Sequence, residues 1–79
     1  MSVAKKIKMY LVEHDITQKS IADVTGISPV KLNLSLNDER RLGFDELALI
    51  LGALGETADK FIDPVPPKEG SEREWPHKN

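Results

Sequence analysis

Apolar and aromatic residues recur at the start of the chain as Val3, Ile7, Tyr10, Leu11 and His14, the i, i+4, i+7 spacing of a helix with one buried stripe. Lys5, Lys6 and Lys8 fall on other faces, and the pattern predicts a first helix over about residues 2–14. Thr17 reads as an N-cap, because its hydroxyl can accept from an otherwise unpaired backbone N–H. Ile16 and Ile21 bracket it in the positions of a hydrophobic staple. The second helix is therefore expected over 18–25, stopped by Gly26. The device repeats at once: Ser28 is the next N-cap, Pro29 sits at the first helical position where its missing N–H costs nothing, and Ile27 pairs with Leu32. A third helix follows over 29–37.

Residues 37–43 carry turn formers without apolar periodicity and read as a loop. Beyond it Phe44, Leu47, Ile50, Leu51 and Leu54 form the buried stripe of a fourth helix over 44–54, with Asp45 and Glu46 in the first turn complementing the helix dipole. Gly55 ends it, and Thr57 caps a brief fifth helix over 58–62 that adds Phe61 and Ile62 to the core. After Ile62 come Pro64, Pro66 and Pro67 and then alternating charges up to Trp75. That composition favours an extended tail over a packed element.

The expectation is an all-α chain: a compact bundle of about five short helices over 1–62 and a Pro-rich, charged tail over 63–79. At 79 residues there is room for one core, and with no cysteine the chain has neither disulfides nor thiolate metal sites to support it. No apolar run approaches the roughly 20 residues of a membrane span, and the N-terminus lacks the apolar stretch of a signal peptide. A cytoplasmic location without membrane association is therefore expected.

The net charge of -2 argues against a polyanionic partner until it is divided along the chain. Residues 1–43 hold seven Lys/Arg against five Asp/Glu, net +2, and residues 44–79 hold four against eight, net -4. A nucleic acid responds to this distribution rather than to the total.

The third helix has an unusual outward face. At about 100° per residue Leu32 and Leu36 share one side, while Val30, Asn33, Leu34 and Asn37 lie opposite with Lys31 at the border. A solvated helix prefers long charged side chains there. A DNA major groove would account for the set: asparagine pairs bidentately with adenine, valine and leucine meet thymine methyls, and lysine reaches phosphate or guanine. A protein partner would bury Val30 and Leu34 equally well, and singly exposed apolar residues are common on any surface.

Two short, separately capped helices joined by a glycine turn match the helix-turn-helix spacing, in which the second helix enters the major groove. The segments Thr17-Gln18-Lys19-Ser20-Ile21-Ala22-Asp23, Gly26-Ile27-Ser28, Leu36-Asn37 and Leu54-Gly55 resemble, in order and separation, the lambda-repressor-like (Cro/XRE) helix-turn-helix family over roughly residues 3–62. The resemblance implies that Pro29, Val30, Lys31, Asn33 and Leu34 occupy base-reading positions. It likewise places Gln18, Lys19, Ser28, Asn37, Arg40 and Arg41 at the DNA backbone, with Gln18 also bracing the third helix. Three departures stand out. Pro29 replaces a polar base-contacting residue, limiting readout there to apolar contact; Asp38 stands where the family usually has glycine, setting a carboxylate near phosphates; and Leu11 and Leu36 replace a buried Arg-Glu pair. The joint change to leucine is consistent, since a well-packed apolar pair can replace a buried ion pair without loss.

The family's function implies a sequence-specific regulator, a prokaryotic or phage repressor, whose partners are double-stranded DNA and a second copy of the chain. Leu49 and Ala53 are the candidate dimer surface. The alternative is an antitoxin-like or adaptor protein whose tail, anchored by Trp75, binds another protein. No enzyme motif is present. The histidines are His14, expected as a partly buried helix-end residue, and His77 in the tail, and neither a metal nor another cofactor is expected.

Overall fold

Among the described residues three of the four α-helices begin at a hydroxyl side chain that accepts a backbone N–H the helix itself cannot satisfy. Ser2 Oγ accepts from the Lys5 N–H at 3.1 Å, Thr17 Oγ1 from Ser20 at 3.1 Å and Ser28 Oγ from Lys31 at 3.4 Å. Gly43 has no side chain to do this, and Glu46 reaches back instead, its Oε1 accepting from the Gly43 N–H at 3.0 Å. The resulting elements, in a computed structural model that describes residues 1–62, are α1 (Val3–Glu13), α2 (Gln18–Thr25), α3 (Pro29–Leu36) and α4 (Phe44–Leu54). α2 and α4 stop at glycines in the left-handed region, Gly26 at φ 80° and Gly55 at φ 69°, where a β-carbon would be strained. The described residues contain no strand, so the all-α expectation is met for them. The tail expected over 63–79, Trp75 included, lies outside them.

Helices of 8 to 11 residues are shorter than the about 12–15 at which isolated helices become even marginal, so packing must stabilise them. α2 packs on α3 and α4, and α1 packs on α3. Ile7 and Leu11 of α1, Ile21 and Ala22 of α2, Leu32 and Leu36 of α3 and Ile50 and Leu51 of α4 meet in one cluster, joined by Ile27 from the turn and Phe61 from beyond α4. Leu11 and Leu36 are both inside it. Tyr10 ties the C-terminal segment to α1. Phe61 meets its ring edge-on at 5.4 Å, and its hydroxyl donates to Glu56 Oε2 at 2.8 Å, which pushes the phenol above its ordinary range.

Four sequence expectations are corrected. Phe44 does not join the buried stripe: it is 82% exposed, and Leu42 of the preceding loop packs against the core instead. The fifth helix is a single 3-10 turn, Ala58–Lys60, and Thr57 does not cap it, because its hydroxyl bonds the Asp59 carboxylate. Ile62 is 43% exposed and only Phe61 of this segment enters the core. His14 is exposed rather than partly buried, its imidazole stacked on the Tyr10 ring at 4.0 Å. No helix among the described residues is long and apolar enough to cross a membrane.

Candidate nucleic-acid interface

The three residues between α2 and α3 are held by a small set of bonds. Gly26 N–H closes the last turn of α2 on the Ala22 carbonyl at 2.9 Å. The Thr25 hydroxyl donates to the Ile21 carbonyl at 2.7 Å and accepts from the Ile27 N–H at 3.2 Å, so one side chain links the helix to the turn. Ile27 is buried, and Ser28 with Pro29 starts α3 at once. The turn is therefore short, capped on both sides and anchored in the core, which fixes how α3 stands against α2.

α3 turns Leu32, Ser35 and Leu36 inward. Pro29, Val30, Lys31 and Asn33 are exposed, Val30 to 68%, and Leu34 is half-buried at the edge of the same face. All five residues assigned to base reading thus share one helix, with Leu34 the least accessible of them. Asn33 is also tied to its neighbours: its Nδ2 donates to Gln18 Oε1 at 3.2 Å, and its Oδ1 accepts from Asn37 Nδ2 at 3.3 Å. Gln18, the first residue of α2, therefore braces α3 through Asn33. An amide carries two N–H donors and two lone pairs, so Asn33 retains one of each, the complement that an adenine edge requires.

The residues assigned to the DNA backbone divide. Gln18, at the start of α2, and Asn37, at the C-terminal end of α3, belong to this amide set, and Ser28 is exposed at the start of α3. Lys19 is exposed and forms a 3.6 Å pair with Asp23 one turn on, a contact that solvent screens heavily. Arg41 is exposed. Arg40 faces the protein. Its Nη1 donates to Ser35 Oγ at 2.8 Å and Glu46 Oε1 at 3.0 Å, and its Nη2 to Glu46 Oε2 at 2.9 Å. These bonds, with that from the Gly43 N–H, hold the Glu46 carboxyl down at about 2, and the nearby Lys31 charge acts in the same direction. Arg40 therefore fastens the loop between α3 and α4 to both helices, and Arg41 is the loop's exposed cation.

Asp38 adopts φ 62°, the left-handed region that favours glycine. The Ser2 hydroxyl reaches both of its carboxylate oxygens at 3.0 Å, linking the cap of α1 to the loop. Leu49, on the proposed dimer surface, is 49% exposed on α4 beside exposed Ala48 and Gly52, whereas Ala53 is half-buried and packs against the core.

Four contributors escaped the sequence reading: Lys8, which donates to Asn37 Oδ1; Ser2; buried Ser35; and Glu46 as the partner of Arg40. Two of them left local signals: Glu46 through the Gly43-x-x-Glu46 spacing of half a capping box, and Ser2 as a serine directly before the first helical stripe. Among the described residues no group of three or more His, Asp or Glu side chains could hold a metal ion. In comparisons with known proteins no family model matches the chain, and no curated protein or solved structure matches it.

Proposed function

We propose that this chain is a sequence-specific double-stranded DNA-binding regulator, acting as a repressor that lays α3 in the major groove. The observation that carries this reading is the outward face of α3, where Val30, Lys31 and Asn33 stand exposed on a helix braced by Gln18 at the start of α2. A short helix held at a fixed angle by a capped turn, and offering an amide with one donor and one acceptor unspent, has the means of direct base readout. Gln18 and Asn37 are bonded to Asn33 of that face, Ser28 precedes it and Arg41 is exposed in the loop beyond, and all four carry donors suited to phosphate oxygens, which set register and affinity rather than sequence.

One such helix reads only a few base pairs, so the reading includes a homodimer spanning two half-sites about 34 Å apart. Leu49, with Ala48 and Gly52 beside it, supplies an exposed surface on α4 where a second copy could pack. The experiment is selection of bound duplexes from a random pool at near-physiological salt, where screening suppresses the nonspecific phosphate attraction. The expected result is a palindrome with half-sites about one helical turn apart. Absence of any enriched sequence would overturn the reading in favour of a protein partner bound through the apolar exposures at Val30 and Phe44.

A further inference from the structure

The amides of Gln18, Asn33 and Asn37 form a chain with a direction, and the direction originates on α1. Lys8 Nζ donates to Asn37 Oδ1, Asn37 Nδ2 donates to Asn33 Oδ1 at 3.3 Å, and Asn33 Nδ2 donates to Gln18 Oε1 at 3.2 Å. A carboxamide can be turned over to exchange its oxygen and its nitrogen, so three linked amides would satisfy one another equally well with every member reversed. An ammonium removes that symmetry, because it carries three donors and no acceptor. The Asn37 atom facing Lys8 must be oxygen. Its nitrogen then faces Asn33, which must answer with oxygen, and the Asn33 nitrogen is left for Gln18. Lys8 and Asn37 are half-buried, which shields the first link from competing water, whereas Asn33 is exposed.

We propose that Lys8 is a positioning residue for sequence readout: through Asn37 it sets which way round the Asn33 amide stands, and so where Asn33 presents its spare donor and its spare acceptor. This inference rests on the DNA-binding reading. Adenine offers N7 as acceptor and N6–H as donor in a fixed order across the groove, so an amide that is reversed, or free to reverse, loses its discrimination. Lys8 need not touch DNA to have this effect. The same polarity leaves Gln18 with its amide nitrogen at the far end of the chain, the donor that a phosphate contact requires.

The test compares the full-length parent, Lys8→Met and Lys8→Arg on a duplex selected by the parent and on variants of that duplex. Asn33→Ala first identifies the base pair that Asn33 reads, as the pair at which discrimination falls. Lys8→Met keeps the apolar stem and removes the donor, and discrimination at that same base pair is expected to fall about threefold or more, with the other pairs unchanged. Lys8→Arg, which can only donate, is expected to restore it. An equal loss on all duplexes would overturn the proposal, since that is what a lost positive charge alone produces. Side-chain amide NMR tests the relay without DNA: Lys8→Met should shift the NH2 resonances of Asn37 and Asn33 and leave the backbone amides of α3 in place, and unmoved NH2 resonances would overturn it. Enrichment of no sequence by the parent would instead overturn the DNA reading, and the two failures are thereby distinguished.

Discussion

Arg40 and Glu46 meet through two parallel hydrogen bonds, Nη1 to Oε1 at 3.0 Å and Nη2 to Oε2 at 2.9 Å, and this fork closes the loop that leads from α3 to α4. The same carboxylate accepts the Gly43 N–H, so one side chain caps a helix and anchors an arginine. A charged, bidentate contact of this kind is stronger and more directional than a neutral one. Arg40 is thereby held half-buried and faces Ser35 on the buried side of α3.

The pH dependence follows from the depressed pKa of the Glu46 carboxyl, about 2 in the folded chain against an ordinary 4.5. A carboxyl depressed by folding stabilises the native state fully above its unfolded value, and that contribution is lost as pH falls toward the folded value. The parent should therefore melt above Glu46→Gln at pH 6, and the gap should shrink between pH 4.5 and pH 2. Thermal melts of both chains across that range, followed by circular dichroism, measure the difference, and a gap that stayed constant would rule the pair out as its source.

Leu11 and Leu36 lie at the α1–α3 contact with 2% and 0% exposure. Leu11→Arg alone places an unpaired charge there, a change of the kind that costs about 3–5 kcal/mol. For a domain this small each kcal/mol moves the midpoint by about 4–8 °C, so the variant should be unfolded or nearly so at room temperature or shortly above. Adding Leu36→Glu should recover part of the loss by pairing the charge. A double variant no more stable than Leu11→Arg would show that the two positions do not face one another.

Asp38 holds a left-handed backbone conformation that costs an ordinary L-residue about 1–2 kcal/mol and glycine nothing. Asp38→Ala and Asp38→Gly both remove the carboxylate and its contact with Ser2, so the difference between them isolates the backbone. The glycine variant should be the more stable by about 1 kcal/mol in urea titration. On the proposed reading both should also bind DNA more tightly than the parent, because a negative charge beside phosphates has gone.

Phe44 separates what periodicity shows from what the fold does. The spacing Phe44, Leu47, Ile50, Leu51, Leu54 is a regular amphipathic series, and four of its five members do pack at the core. The first does not, because a periodic stripe gives direction around the helix axis and says nothing of where along that axis the opposing layer ends. Phe44→Ala should therefore change stability by no more than about 0.5 kcal/mol, as at other exposed positions, against the about 3–5 kcal/mol of a buried phenylalanine. A large loss would place Phe44 under a covering element.

The helices, the N-caps of α2 and α3, the glycine stops and the α2–α3 turn were legible because each depends on residues no more than five positions apart: Thr17 with Ser20, Ser28 with Lys31, and the left-handed glycines Gly26 and Gly55. The outward set on α3 was legible for the same reason. Lys8 with Asn37 and Ser2 with Asp38 were not, since 29 and 36 positions separate the partners and only the packing of α1 on α3 brings them together. Arg40 shows a third case. Its side chain could as well have reached a phosphate, and a local sequence does not say which of two carboxylate-rich neighbours on either side of the loop, Asp38-Glu39 or Asp45-Glu46, will take an arginine inward.

The sharpest test of the α3 face removes its two most polar exposed members together. Lys31 and Asn33 contribute nothing to the core, and the main cost of Asn33→Ala to the fold is the solvent-exposed bond to Gln18. The double variant Lys31→Ala/Asn33→Ala should therefore melt close to the parent. Each good base contact is worth about 1–3 kcal/mol, so affinity for a selected duplex should fall by roughly ten- to several-hundredfold, with binding to unrelated DNA much less affected. The loss should exceed that of Lys19→Ala, whose charge is already paired with Asp23 and whose contact would be to backbone only. Measured by titration of labelled duplexes at fixed salt, equal affinity of variant and parent for the selected site would take Lys31 and Asn33 out of recognition, and would turn attention to exposed apolar residues such as Val30, Phe44 and Leu49 as surfaces for a partner.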